Sequence, residues 1–159
     1  MGKAIVAYFS AEGTTAKVAK NLARQAGLET FEIVPAEPYS AADINWKNPL
    51  ARCNKEKIGK KDVPVRDTLE GFDGYDTVFL GFPIWYYGAP NIISTFVKQY
   101  DWTGKRVALF ATSGGSDIGK TEEKLSPSFN GKGSIVAAKL FTGSVTKDDL
   151  KQWAEGILE

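Results

Sequence analysis

Three short stretches of this chain carry residues suited to holding a ligand. The first, Ser10-Ala11-Glu12-Gly13-Thr14-Thr15, follows the apolar run Ala4-Ile5-Val6-Ala7-Tyr8-Phe9 and leads straight into a helical pattern. The N-terminus of a helix presents backbone N–H groups that have no intrahelical acceptor, and such a place attracts an oxyanion such as phosphate. Ser10, Thr14 and Thr15 add hydroxyl donors, and Gly13 admits a close backbone approach. The second stretch, Pro83-Ile84-Trp85-Tyr86-Tyr87-Gly88, places three consecutive aromatics after another apolar run. They cannot all enter one core. A planar heterocycle stacked on Trp85 or Tyr86 gives them a use; so does covering a helix or forming a subunit contact. The third stretch, Thr112-Ser113-Gly114-Gly115-Ser116, lacks bulk. Its adjacent glycines let the backbone meet a ring edge and offer N–H groups to its oxygens. The same residues also suit a plain turn before a helix capped by Ser116 or Asp117.

The elements that must position these stretches follow from apolar periodicity. Lys3–Phe9, Thr77–Leu80, Arg106–Ala111 and Ser134–Phe141 read as strands, the first three as buried ones. Leu28–Val34 alternates apolar and polar residues, which suits a more exposed strand. Val18, Leu22 and Ala26 recur at helical spacing, so Thr14–Ala26 reads as a helix closed by Gly27. Asn91–Gln99 after Pro90, Ile118–Leu125 and Lys147–Leu158 complete the helices. Pro35–Pro64 is irregular, with short helices expected at Ala41–Ile44 and Ala51–Ile58. Strands alternating with helices imply a parallel sheet covered on both faces, in a single domain over residues 1–159. Open sheets of this kind bind ligands beyond the carboxyl ends of their strands. All three distinctive stretches follow strands and are expected at that edge.

Taken together, one stretch supplies phosphate contacts, one a stacking face and one polar contacts to a ring edge. That combination describes a site for flavin mononucleotide, FMN. Its candidate residues are Ser10, Glu12, Gly13, Thr14, Thr15, Pro83, Ile84, Trp85, Tyr86, Tyr87, Gly88, Thr112, Ser113, Gly114, Gly115 and Ser116. Whole-chain composition agrees. Histidine is absent, which removes Ser-His-Asp and Cys-His nucleophile pairs and the commonest metal ligand. The one cysteine, Cys53, can form neither an internal disulfide nor a zinc ligand set, and suits a reducing cytoplasm. No catalytic side chain and no metal ligand is assigned; a cofactor would carry the chemistry. With 20 basic and 19 acidic residues the chain has no field for nucleic acid. No apolar run approaches the roughly 20 residues of a membrane span, and no signal-peptide pattern precedes the first strand.

With these loops in view, the chain resembles the flavodoxin family, and in particular a branch of small bacterial flavoproteins of the short-chain type. The likeness runs over essentially the full length. It rests on Ser10–Thr15, on Gly81-Phe82-Pro83-Ile84-Trp85-Tyr86-Tyr87-Gly88, on Ala111–Ser116, on Pro38–Trp46 and on Asp101-Trp102-Thr103-Gly104-Lys105. The resemblance implies a flavodoxin-like three-layer α/β/α sandwich, a five-stranded parallel sheet of order 2-1-3-4-5 and noncovalent FMN. The reading that follows is electron transfer to a redox partner protein or small-molecule acceptor; the cysteine usage suits the cytoplasm, and the aromatics of the second stretch leave a monomer or weak homodimer open. The alternative is an FMN-dependent NAD(P)H oxidoreductase acting on quinones or similar small aromatics. Two features depart from the family pattern. Glu12 stands where a hydroxyl residue is usual, and its carboxylate is expected to face solvent while its N–H remains available. The net charge of +1 also replaces the usual strong acidity, which weakens long-range steering toward basic partners. Trp46, Asn45 and Arg52 suit a lid, a dimer surface or an anchor for the long loop. Lys55, Lys57, Lys60 and Lys61 suit a solvated face or an anion-attracting one.

Overall fold

Each apolar run of the central strands divides between two cores, because alternate side chains leave opposite faces of a sheet. The computed structural model describes residues 3–10, 13–36, 65–66, 68–84, 89–112, 121–142 and 145–158. Its strands are β1 (Lys3–Tyr8), β2 (Glu29–Glu32), β3 (Tyr75–Pro83), β4 (Arg106–Thr112) and β5 (Ser134–Phe141). They form one sheet of order β2-β1-β3-β4-β5, parallel throughout. Among the described residues four helices accompany it: α1 (Thr14–Ala26), α2 (Asn91–Lys98), α3 (Thr121–Leu125) and α4 (Lys147–Leu158).

On one face Ile5, Ala7 and Phe9 join Val78, Leu80 and Phe82, and Val107, Leu109 and Ala111, under α2. On the other, Val6, Tyr8, Phe79, Ala108 and Phe110 lie under α1 and α4. The helices fit because their buried residues form stripes: Thr15, Val18, Ala19, Leu22 and Ala23 on α1, and Leu150, Ala154 and Ile157 on α4. The expected order 2-1-3-4-5 and the three layers are thus present.

Several boundaries match the sequence pattern and several move for identifiable reasons. α1, β5 and α4 have the expected limits, and Gly27 closes α1 in the left-handed conformation at φ 70°. β2 is shorter than Leu28–Val34. The Leu28 N–H is committed to the Ala23 carbonyl at 2.8 Å, and the Val34 carbonyl accepts the Arg66 N–H at 2.7 Å. β3 is longer than Thr77–Leu80 and runs through Gly81-Phe82-Pro83. Pro83 sits at the strand's end, where its missing N–H interrupts nothing. α3 begins at Thr121 in the described part; residues 118–120, and the helices expected at Ala41–Ile44 and Ala51–Ile58, lie outside the described residues.

At the amino ends of β3 and β4, Trp102 is buried among Phe72, Phe96 and Phe129, and its Nε1–H donates to the Val97 carbonyl at 2.8 Å. Beside it the buried Lys105 ammonium donates to the carbonyls of Phe72 and Tyr75 and lies 4.6 Å from the Phe72 ring centroid. A buried ammonium is tolerated because those acceptors replace its water.

At Gly81 a side chain is forbidden by packing. A Cβ there would lie 2.1 Å from Phe110 Cζ, because the Phe110 ring crosses onto the neighbouring strand. That ring is hemmed in by Phe141 and Trp153 and cannot swing aside freely. Gly81→Ala is expected to lower stability by about 1–3 kcal/mol in urea denaturation. The double variant with Phe110→Leu should recover part of that loss.

Three phenols are pushed above their ordinary value of 10.0: Tyr8 by burial and then by Glu32, Tyr75 by its hydrogen bond to Glu29 and then by burial, and Tyr100 by burial. A raised pKa in the folded chain means stability is fully present below the ordinary phenol range and is lost as pH rises through the folded value. In an alkaline absorbance titration these tyrosines should ionise together with loss of the near-ultraviolet circular dichroism, later than free tyrosine.

Candidate functional site

The site is built at one sheet edge by register. β1 pairs with β3 up to Tyr8 and Gly81, and β3 pairs with β4 up to Pro83 and Thr112. Two bonds carry the pairing past the strand ends. The Phe9 N–H donates to the Gly81 carbonyl at 3.0 Å, and the Ile84 N–H donates to the Thr112 carbonyl at 3.1 Å. The chain leaves β1, β3 and β4 side by side, and the stretches singled out in the sequence begin there.

The first is the best defined. Gly13 is the N-cap of α1, in the left-handed region at φ 97° and ψ −16°, where a side chain would be strained. Its N–H donates to Ser10 Oγ at 3.0 Å, which closes the loop and leaves the Ser10 hydroxyl proton for another acceptor. Among the described residues no side chain caps α1 with a hydrogen bond, and no acidic residue lies in its first turn. The Gly13 carbonyl accepts from the Lys17 N–H at 3.0 Å, so the earlier amides lie ahead of the regular helical ladder. Among the described residues, nothing lies within 4 Å of the position a Gly13 Cβ would take. Partial positive charge, an open approach and hydroxyl donors suit a bound oxyanion.

Thr14 is exposed, whereas Thr15 is 2% exposed and faces inward. Thr15 Oγ1 lies 2.6 Å from Thr112 Oγ1, in a buried hydrogen bond between residues 97 apart in sequence. Thr112, expected to open the third loop, instead closes β4 and is 3% exposed. Pro83 is half-buried, and Ile84 packs against the core on the α2 face, so Ile84 fixes the start of the second loop. The structure thus brings together Ser10, Gly13, Thr14, Thr15, Pro83, Ile84 and Thr112. Glu12, Trp85, Tyr86, Tyr87, Gly88, Ser113, Gly114, Gly115 and Ser116 lie outside the described residues, as do Asn45, Trp46, Arg52, Cys53, Lys55, Lys57, Lys60 and Lys61.

Sequence reasoning missed the Thr15–Thr112 bond and the Phe110 ring over Gly81. Residue spacing carries no sign of contacts made across the sheet. Among the described residues no group of His, Cys, Asp or Glu is arranged to hold a metal, and no helix is long and apolar enough to cross a membrane.

A family model described as flavodoxin matches residues 3–157. The chain belongs to the flavodoxin family. Similar solved structures include a candidate flavoprotein from Bacteroides eggerthii, 36% identical with a TM-score of 0.91, which covers 100% of this chain and 99% of that one. Another is a flavoprotein in complex with FMN from Lactobacillus acidophilus, 20% identical with a TM-score of 0.70 over 97% of this chain and 99% of that one. That second likeness is one of fold. Flavodoxin 1 of Salmonella typhimurium is 32% identical over 80 residues, 45% of this chain and 46% of that protein. The match therefore spans about half the length of this curated flavodoxin.

A helix N-terminus suits an oxyanion, so inorganic phosphate should raise the melting temperature of the wild-type chain by mass action. Gly13→Ala is expected to cost about 1–2 kcal/mol through left-handed strain. It should also shrink the phosphate-dependent rise measured by differential scanning calorimetry.

Proposed function

We propose that the chain binds FMN noncovalently at this edge and works as an electron-transfer flavodoxin. The observation that carries this reading is the N-terminus of α1, which no described side chain caps, held beside the ends of β1, β3 and β4. The donor set fits the phosphate end of FMN: main-chain N–H groups of Thr14 and Thr15, the Ser10 hydroxyl, and no acidic residue in the first helical turn. The aromatic stretch Trp85-Tyr86-Tyr87 has the chemistry to stack on the ring system, and Ser113–Ser116 the chemistry to meet its polar edge. FMN, when bound, supplies the redox chemistry, accepting and releasing electrons in steps of one or two. The protein's own part is to bind, orient and shield it.

Family membership and the likeness to flavodoxin 1 favour the carrier over a reductase. The partner is a redox protein or a small acceptor. With a net charge of +1, docking relies on shape and short-range contacts more than on long-range attraction. The cellular setting that fits is a bacterial cytoplasm, with the chain acting as a monomer or weak homodimer.

The test is an absorbance spectrum of the purified protein, followed by anaerobic stepwise reduction. A bound flavin reduced in two separate one-electron steps, with no oxidation of NAD(P)H in the presence of a quinone, is the expected result. Reduction in a single two-electron step with NAD(P)H turnover would make the chain a reductase. No bound flavin, and none taken up from added FMN, would overturn the reading.

A further inference from the structure

The outer side of α1 carries a single sign of charge. Its exposed residues are Thr14, Lys17, Lys20 and Arg24, so every one after the first is cationic. At 3.6 residues per turn the three cations fall within about 60° of one another and run for about 10 Å along the helix. The helix contains no Asp or Glu, and among the described residues none of the three cations forms an ion pair. Glu32, which lies on the same face of the sheet beside Tyr8, does not come within ion-pair distance of them. α4 covers the same sheet face but is built differently. There Asp148, Asp149 and Glu155 stand among Lys147 and Lys151, with Asp148 three residues and Glu155 four residues from Lys151. Those spacings let opposite charges meet on a helix surface, and like charges at the same spacings cost stability. On α1 both spacings join like charges, Lys17 to Lys20 and Lys20 to Arg24. Arg24 gains from the C-terminal end of the helix dipole, whereas Lys17, one turn from the N-terminus, does not. The stability of α1 itself therefore does not explain the stripe. Carboxylates from outside the chain would relieve its repulsion.

We propose that the Lys17-Lys20-Arg24 stripe docks an electron-exchanging protein whose surface is rich in carboxylates. This inference rests on the FMN reading above and names the chemistry of the partner. α1 begins at the ligand edge, with Gly13 as its N-cap and Lys17 one turn on. A protein seated on the stripe therefore stands beside the end of the fold that would hold the flavin. The near-neutral total charge gives no long-range pull, and the stripe acts within roughly 8–10 Å at ordinary ionic strength. Its contribution is to orient a partner that has already come close and to reject one that is basic. A compact cluster of carboxylates matches three cations spread over about 10 Å. A nucleic-acid backbone is matched by a longer cationic track than this helix offers.

Two cytochromes of comparable potential, an acidic b-type and a basic c-type, serve as probes. Each is offered without oxygen to the full FMN-loaded chain after stoichiometric reduction with dithionite. One electron passes from the flavin to the ferric haem, which becomes ferrous, and stopped-flow absorbance gives the second-order rate constant. With the acidic cytochrome the wild-type constant should be highest at low ionic strength and fall about tenfold by physiological salt. Lys20→Glu combined with Arg24→Glu should remove that salt dependence and lower the low-salt constant by about tenfold. Lys20→Gln combined with Arg24→Gln should give a smaller loss, and serves if the reversed pair does not fold. Lys132→Glu combined with Lys139→Glu makes the same change in total charge at the β5 end of the sheet, and should lower the constant far less. Oxidation of the reduced flavin by a neutral quinone should be the same in all of these chains. A constant for the acidic cytochrome that the α1 pair leaves unchanged overturns the inference. So does an equal loss in the Lys132 and Lys139 pair, or a basic cytochrome that reacts faster than the acidic one at low salt. Binding of single-stranded DNA or of anionic vesicles that the α1 pair abolishes, with electron transfer intact, gives the stripe another partner and overturns it too. A folded chain that takes up no FMN removes the FMN reading itself and this inference with it.

Discussion

The parallel register of β1, β3 and β4 is the constraint on which the rest depends. Three strands that start at distant points in sequence end within two residues of one another along the sheet, with Tyr8 opposite Gly81 and Pro83 opposite Thr112. Parallel strands need crossovers, and α1 and α2 supply those between β1 and β2 and between β3 and β4. One consequence is that every loop leaving a carboxyl end opens at the same edge. A shift of one residue in this pairing would turn each strand's side chains to the wrong core, and would also move Thr112 away from Thr15.

Packing inside the sheet enforces that register. β3 lies at its centre, so both its faces and both its edges are occupied. Its residues facing α1 and α4 include Phe79 and then Gly81, where the missing side chain leaves room for the Phe110 ring. A large residue on β4 and no side chain on β3 form a complementary pair, two residues before the Pro83–Thr112 position where the site begins. The glycine that looks like a strand terminator in sequence is a strand residue chosen by volume.

That misreading shows where sequence was informative and where it was not. The limits of α1 were legible because two independent signals agreed: apolar residues at helical spacing, and a glycine at the C-terminal cap. β5 and α4 were legible because each stands between clear turns. β2 was over-extended because its apolar alternation continues past residues whose backbone groups are already engaged, at Leu28 by the α1 cap and at Val34 by Arg66. In the site, Ser10 and Gly13 were legible because their interactions are local to one loop. The pairing of Thr15 with Thr112 was not, since it joins residues 97 apart. A threonine near a helix start reads as a donor facing the ligand; only the fold shows that this one faces another threonine.

The aromatic box around Trp102, with the buried Lys105 ammonium, stands at the amino ends of the strands, about 20 Å along β4 from the ligand edge. Stability held there is remote from the residues that would meet a cofactor. Substitutions more than about 7–10 Å apart with no shared partner tend to add independently. The loops at the carboxyl edge can therefore diverge among relatives without eroding the anchor that keeps the sheet together. Substitutions at this edge can reshape what it recognises while the opposite end keeps the frame.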